Sequence, residues 1–211
     1  MKKLFVWMLS AALCVSLAAC AGKTPSAPAD TSAPADATPE SAENASDAVT
    51  AAYQDKVAEL EVESEDTLAW AQFACGTGEK LLAVTKTSFV YADGQTMGAD
   101  IFQYADGEVK FIASVGSTGT AYPLAHTQDA ILFGGNHTAG KLSIYDGATG
   151  ELLVLINMNI ERKTPVLETY DVADGETTLK SSEELSPEEA DAFDYYTNAF
   201  TDGTAEIINF Q

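Results

Sequence analysis

Asp-Gly dipeptides place the strongest constraint on how this chain can fold. They occur at Asp93, Asp106, Asp146, Asp174 and Asp202, set among stretches whose apolar residues alternate with polar ones. Both residues of an Asp-Gly pair tolerate positive φ, which the tightest hairpin turns demand. Alternation buries one face of a strand and solvates the other, so the turn signal and the strand signal agree. Val109, Phe111, Ala113 and Val115 alternate with Glu108, Lys110, Ile112 and Ser114. Leu152, Val154, Ile156 and Met158 share a face, with Leu153 and Leu155 behind them. A strand apolar on both faces belongs in the middle of a sheet. "YADG" recurs at Tyr91–Gly94 and Tyr104–Gly107, a hint of repeated hairpins. The expected fold is α+β, mainly β: an antiparallel meander of about seven to nine strands.

Helical spacing frames this meander. Val49, Tyr53, Val57 and Leu60 recur at i, i+4, i+8 and i+11, with Ser46 or Asp47 placed to cap an N-terminal helix. Near the other end, Ser186-Pro187-Glu188-Glu189 combines a cap, a proline at the first helical position and acids at the positive helix end. Ala190, Phe193, Thr197 and Phe200 then share a face of a short C-terminal helix that Gly203 can end.

The first residues carry an address. Lys2 and Lys3 precede the uncharged run Leu4–Leu17, which is short for a membrane span and is followed by the small residues Ala18 and Ala19. With Cys20, the "LAAC" sequence resembles the lipobox of bacterial lipoproteins. That resemblance implies removal of residues 1–19 as a signal peptide, and a diacylglycerol with fatty acyl chains such as palmitate on Cys20. It also implies a protein anchored in a cell membrane and facing outside the cytoplasm. The acyl chains hold because each buried CH₂ contributes about 0.8 kcal/mol. Residues 21–45 contain four of the seven prolines and no aromatic or large aliphatic residue. Such a segment cannot offset its ordering entropy, so residues 20–45 are expected to be an anchor and disordered linker, and 46–211 a single β-rich domain.

Charge and cysteines narrow the partners. The formal charge is −21, and from Glu168 onward twelve acids face the single base Lys180. Nucleic acid and anionic surfaces would be repelled, whereas cationic peptides or metal ions are permitted. Of Cys14, Cys20 and Cys75, signal removal and lipidation leave only Cys75, so no internal disulfide is expected and Cys75 reads as a small buried hydrophobe.

The segment Phe73–Val84, "FACGTGEKLLAV", resembles the D-x-D-G-D-G-x-x-E-L loop of FG-GAP-like bacterial surface lipoproteins, and the likeness extends through the "YADG" hairpins to about Leu155. The resemblance implies a hairpin. It puts Phe73, Cys75, Thr77 and Leu81 where that family's acids hold calcium. Calcium requires several oxygens, so the hairpin is expected without the ion.

Residues suited to chemistry are few. His126 and His137, with Asp129 between them, are the only histidine-based set, and metal or triad chemistry needs a further well-placed group. "GSTGT" at Gly116–Thr120 lacks the lysine of a phosphate loop. In "GGNHTAG", Gly134–Gly140, paired glycines flank Asn136, His137 and Thr138, which offer donors and acceptors at an expected seven-residue loop. Neither a cofactor nor a metal site is expected. The favoured function is a tethered module that uses Asn136, His137 and Thr138 to contact a peptide, glycan or envelope protein. The alternative is a small extracytoplasmic hydrolase using His126 or His137; a two-lobed solute-binding lipoprotein is a weaker third, at this length.

Overall fold

Two antiparallel sheets take up the alternating segments. In the computed structural model the described residues are 40–64, 66–76, 79–117, 121–157 and 164–211. The expected signal peptide, Cys20 and the linker up to residue 39 lie outside them, as do Thr77 and Met158. The first sheet runs in chain order: β1 (Leu68–Cys75), β2 (Glu79–Lys86), β3 (Gly98–Ala105) and β4 (Glu108–Gly116). The second contains β5 (Ala125–His126), β6 (Ile131–Phe133), β7 (Thr138–Ile144), β8 (Gly150–Ile156), β9 (Val166–Ala173), β10 (Glu176–Glu184) and β11 (Glu206–Ile207). Its order is β10-β9-β8-β7-β6-β5-β11, a meander with the C-terminal strand added at one edge. β8 is central, as its two-sided apolar pattern requires.

The sheets pack face to face. Leu81, Ala83, Ile101 and Ile112 from the first sheet meet Ile131, Leu142, Ile144 and Leu152 from the second in one buried core. Helices cover the outer faces. α1 (Glu40–Ser64) lays Tyr53 and Val57 on Leu82, Val84 and Phe102. On the second sheet, Ala190 of α2 (Pro187–Asp191) packs with Leu155 and Leu167, and Tyr196 of α3 (Tyr195–Thr201) with Ala125 and Leu132. The layers are therefore helix, sheet, sheet, helices.

The α+β, mainly β architecture with an N-terminal helix is present, but its details depart from the sequence pattern for identifiable reasons. Among the described residues there are eleven strands, because β5, β6 and β11 are too short to display alternation. α1 starts at Glu40 rather than at Ser46, so the last residues of the Ala/Pro/Ser/Thr segment belong to the helix. In β4 a bulge opposite Ile101/Phe102 buries both Ile112 and Ala113, moving Phe111 to the α1 face while Val115 stays in the core. The C-terminal helix is two helices. Ser186 caps α2 as expected, and Glu189 reaches back to complete a capping box, but Asp194 accepts a bond from the Thr197 N–H and starts α3 afresh.

The Asp-Gly pairs divide likewise. Asp106-Gly107 (φ 54° and 88°) and Asp174-Gly175 (φ 52° and 76°) close the β3–β4 and β9–β10 hairpins with both residues left-handed. Gly203 ends α3 in the same conformation, Asp146-Gly147 opens the β7–β8 connection in which Gly147 and Ala148 are left-handed (φ 71° and 63°), and Asp93-Gly94 lies inside the long β2–β3 connection.

Candidate functional site

The β2–β3 ladder is short. Leu81–Val84 pair with Gln103–Asp100, and beyond Val84 the two strands part. Thr85 and Lys86 stay with β1, Gly98 stays with β4 opposite Gly116, and residues 87–97 leave the sheet between them. The opening is a groove of about 610 Å³. Val84, Thr85, Lys86, Gly98, Ala99, Asp100, Ser114 and Gly116 line it from the strands; Phe89, Tyr91 and Met97 line it from the connection.

That connection is held by backbone bonds at several points, which makes the groove wall a fixed surface. The Thr87 N–H donates to the Thr67 carbonyl, and Thr87 to Phe89 form a 3-10 turn. Tyr91 N–H donates to the Gln95 carbonyl (2.8 Å) and Gly94 N–H to the Tyr91 carbonyl. The Phe210 N–H then donates to Gly94 (2.7 Å) and Leu124 N–H to Thr96 (2.7 Å), tying the loop to the C-terminal segment and to the second sheet. Gly94 sits at φ +81°, and a Cβ there would lie 3.2 Å from the Phe210 carbonyl oxygen. Thr96 is buried and donates from its hydroxyl to the Gly98 carbonyl.

Against this fixed frame two large rings face water. Phe89 is 61% exposed and Tyr91 50%, the Tyr91 hydroxyl reaching Met97 Sδ at 3.6 Å. Exposed aromatic rings beside a concavity are what ligand sites are built from. Polar groups stand at the other side: Ser114 Oγ donates to Asp100 Oδ1 at 2.5 Å, and Lys86 Nζ pairs with Asp66 at 2.6 Å.

The histidines do not assemble. His126 lies on β5 opposite Ile131, and His137 follows Phe133 at the far end of β6. At about 3.3 Å per residue the two stand on the order of 15–20 Å apart along the strand. The His126 ring packs on Phe73 (centroids 5.0 Å apart), its Nδ1 lies 3.3 Å from the Thr127 carbonyl, and its Nε2 is 4.0 Å from Glu206. Asp129 is exposed in the β5–β6 turn, where its N–H donates to Thr127 Oγ1. Among the described residues, three or more His, Cys, Asp or Glu side chains nowhere gather as a metal site would require.

The expected seven-residue loop is shorter. Thr138 and Gly140 belong to β7, which leaves residues 134–137 as the turn. Asn136 and His137 are exposed there. Thr138 is instead held in the ladder opposite Ile156 and accepts from Ser117 Oγ at its carbonyl (2.6 Å). The glycines are explained by packing. A Cβ on Gly140 would lie 2.0 Å from the Leu153 carbonyl oxygen, and one on Gly134 would lie 2.8 Å from the Tyr196 ring. In the Phe73–Val84 segment β1 and β2 pair as a hairpin, Cys75 and Leu81 are core residues, and burial pushes the Cys75 thiol up to about 11.

Sequence patterning passed over the groove because Phe89 and Tyr91 fall outside any strand or helix period. The available signal was the length of the segment from Thr87 to Met97 between two strands, which is longer than turn-making needs. No known protein family matches the chain, and neither does any curated protein or solved structure. Among the described residues no helix is long and apolar enough to cross a membrane.

Proposed function

We propose that this chain is an extracytoplasmic binding module, held at a membrane by lipid on Cys20, whose ligand lies in the groove between the diverging ends of β2 and β3. The observation that carries the reading is the pair of exposed rings, Phe89 and Tyr91, fixed by backbone bonds at the rim of a 610 Å³ concavity. With Phe89 and Tyr91 half or more exposed, roughly half of the ~1.5–3 kcal/mol that full burial contributes is forgone at each, and a ligand that covers them recovers it. The tether rests on residues 1–20, and the linker up to α1 gives the domain reach from the bilayer.

The test is amide mapping by NMR. Size-fractionated soluble components released from a bacterial envelope are added to isotopically labelled protein. Shifts should concentrate in residues 84–100 and 114–117, and should vanish in the Phe89→Ala/Tyr91→Ala variant at unchanged melting temperature. Shifts centred elsewhere, on the β6–β7 turn for example, would remove the groove as the site.

A further inference from the structure

We propose that the groove receives a basic peptide segment, whose lysine or arginine heads lie over the faces of Phe89 and Tyr91 and at Asp100. The inference rests on the binding-module reading and names its ligand. Aromatic faces carry negative potential and attract ammonium or guanidinium groups within about 6 Å of the ring centroid. Phe89 and Tyr91 present such rings on one wall. Asp100, exposed on the opposite strand, accepts from Ser114 at Oδ1, so Ser114 engages one carboxylate oxygen. Lys86, the basic residue lining the groove, is ion-paired with Asp66 and so does not cancel the field of Asp100. Over longer range the chain's charge of −21 steers cations toward the domain and turns anions away.

The shape selects a peptide over a free amine. Small-molecule sites bury about 70–90% of their ligand. With Phe89 and Tyr91 each half or more exposed, a lone amine in this groove would remain largely in water. A peptide continues past both ends and gains contacts along its length. Gly98 and Gly116 support such a path: they face each other across β3 and β4, and a Cβ on either would come within 3.1 Å of the neighbouring backbone. The floor is therefore bare main chain that an extended segment can approach.

Fluorescein-labelled oligolysine, titrated by anisotropy into the full chain at about 0.15 M salt, tests this. Phe89→Ala and Tyr91→Ala should each weaken binding by about two- to fivefold. Asp100→Asn should weaken it by about threefold or more. Glu183→Gln removes the same charge from exposed β10 and should change affinity by less than about twofold, since screening confines surface charge effects to its own neighbourhood. All four positions are exposed, and equal melting temperatures confirm intact folds. Absence of oligolysine binding overturns the proposal. So does an equal loss in Glu183→Gln and Asp100→Asn, which would mean attraction to the acidic surface at large. Spermidine competing as strongly as unlabelled oligolysine overturns the choice of a peptide. A non-basic envelope component that shifts groove amides while oligolysine does not would end this inference and leave the groove; shifts outside the groove with every ligand would end both.

Discussion

Removing one hydroxyl, in Tyr53→Phe, should cost more than most deletions of a core methyl group. Tyr53 is fully buried on the α1 face of the first sheet. Its hydroxyl donates to the Lys80 carbonyl (2.5 Å) and accepts from the Tyr104 N–H (2.9 Å). Lys80 and Tyr104 stand just beyond the Leu81–Gln103 pair, where β2 and β3 cease to bond each other directly. The hydroxyl thus bridges two strands at the point where their ladder stops. Phenylalanine keeps the ring but withdraws the acceptor from one amide and the donor from one carbonyl. A buried group left without its partner costs about 1–3 kcal/mol, and since both bonds are only part-buried the pair falls toward the lower end, about 2–4 kcal/mol. For a domain of this size each kcal/mol moves the melting point by about 2–4 °C, so the loss should be roughly 5–15 °C. Urea unfolding monitored by tryptophan fluorescence should show an unchanged slope and a midpoint lower by about 1–2 M. A loss under about 0.5 kcal/mol with the same slope would refute the reasoning, since it would mean that the bridge is replaced at no cost.

Three further outcomes follow from other parts of the molecule. Burial holds the Cys75 proton on in the folded state up to about pH 11 against an ordinary 9.0, so the unfolded chain loses its proton first; the Cys75 contribution to stability should be full below pH 9 and fall as pH rises toward 11, and Cys75→Ala should make the alkaline denaturation curve shallower from pH 9, while Tyr170 and Tyr196, also raised, keep a fall above pH 10. Gly140→Ala should destabilise by about 3 kcal/mol or more, because its methyl meets the Leu153 carbonyl oxygen, whereas Asn136→Ala with His137→Ala at the exposed turn should change the melting temperature little; similar losses would show that the turn packs inward. Cys20→Ala should abolish labelling by a radioactive fatty acid in a lipoprotein-processing bacterium, and equal label on variant and wild type would sink the lipid anchor.

The strands that could be read from sequence are those with at least one apolar face and enough length to repeat. β8 showed itself through Leu152, Val154 and Ile156, and the β3–β4 and β9–β10 hairpins through Asp106-Gly107 and Asp174-Gly175. Alternation misled where a single residue changed the register. The Val109–Val115 pattern looks unbroken, yet the bulge at Ile112 divides it between two cores, because a strand that must touch both α1 and the second sheet has apolar residues on each side. Asp194 hides in the same way: helical spacing continues from Ala190 to Phe200, but a side chain that can cap is an invitation to restart, and it does so. The candidate site was least legible. Phe89 and Tyr91 sit in no periodic element, and the glycines of "GGNHTAG", which look like a flexible binding loop, are required by the close approach of Leu153 and Tyr196.

The short β2–β3 ladder links stability to the groove. A sheet whose central pair is joined only from Leu81 to Val84 has two open ends, each of which exposes backbone groups that need partners. At one end α1 supplies Tyr53, whose hydroxyl satisfies both strands. At the other end, among the described residues, the strands are instead bonded to other elements. Lys86 pairs with Leu68 of β1, Gly98 pairs with Gly116 of β4, and the intervening segment is anchored to Thr67, Leu124 and Phe210. Each strand thus finds its bonds on its outer side, so the gap between them can stay open at little cost. α1 accentuates the contrast, since its buried contacts include the row of Leu82 and Phe102 and reach Val84, while Asp100 and Ser114 in the next row remain exposed. The same divergence that Tyr53 closes is therefore left, at the far end, as a walled opening with aromatic rings at its rim.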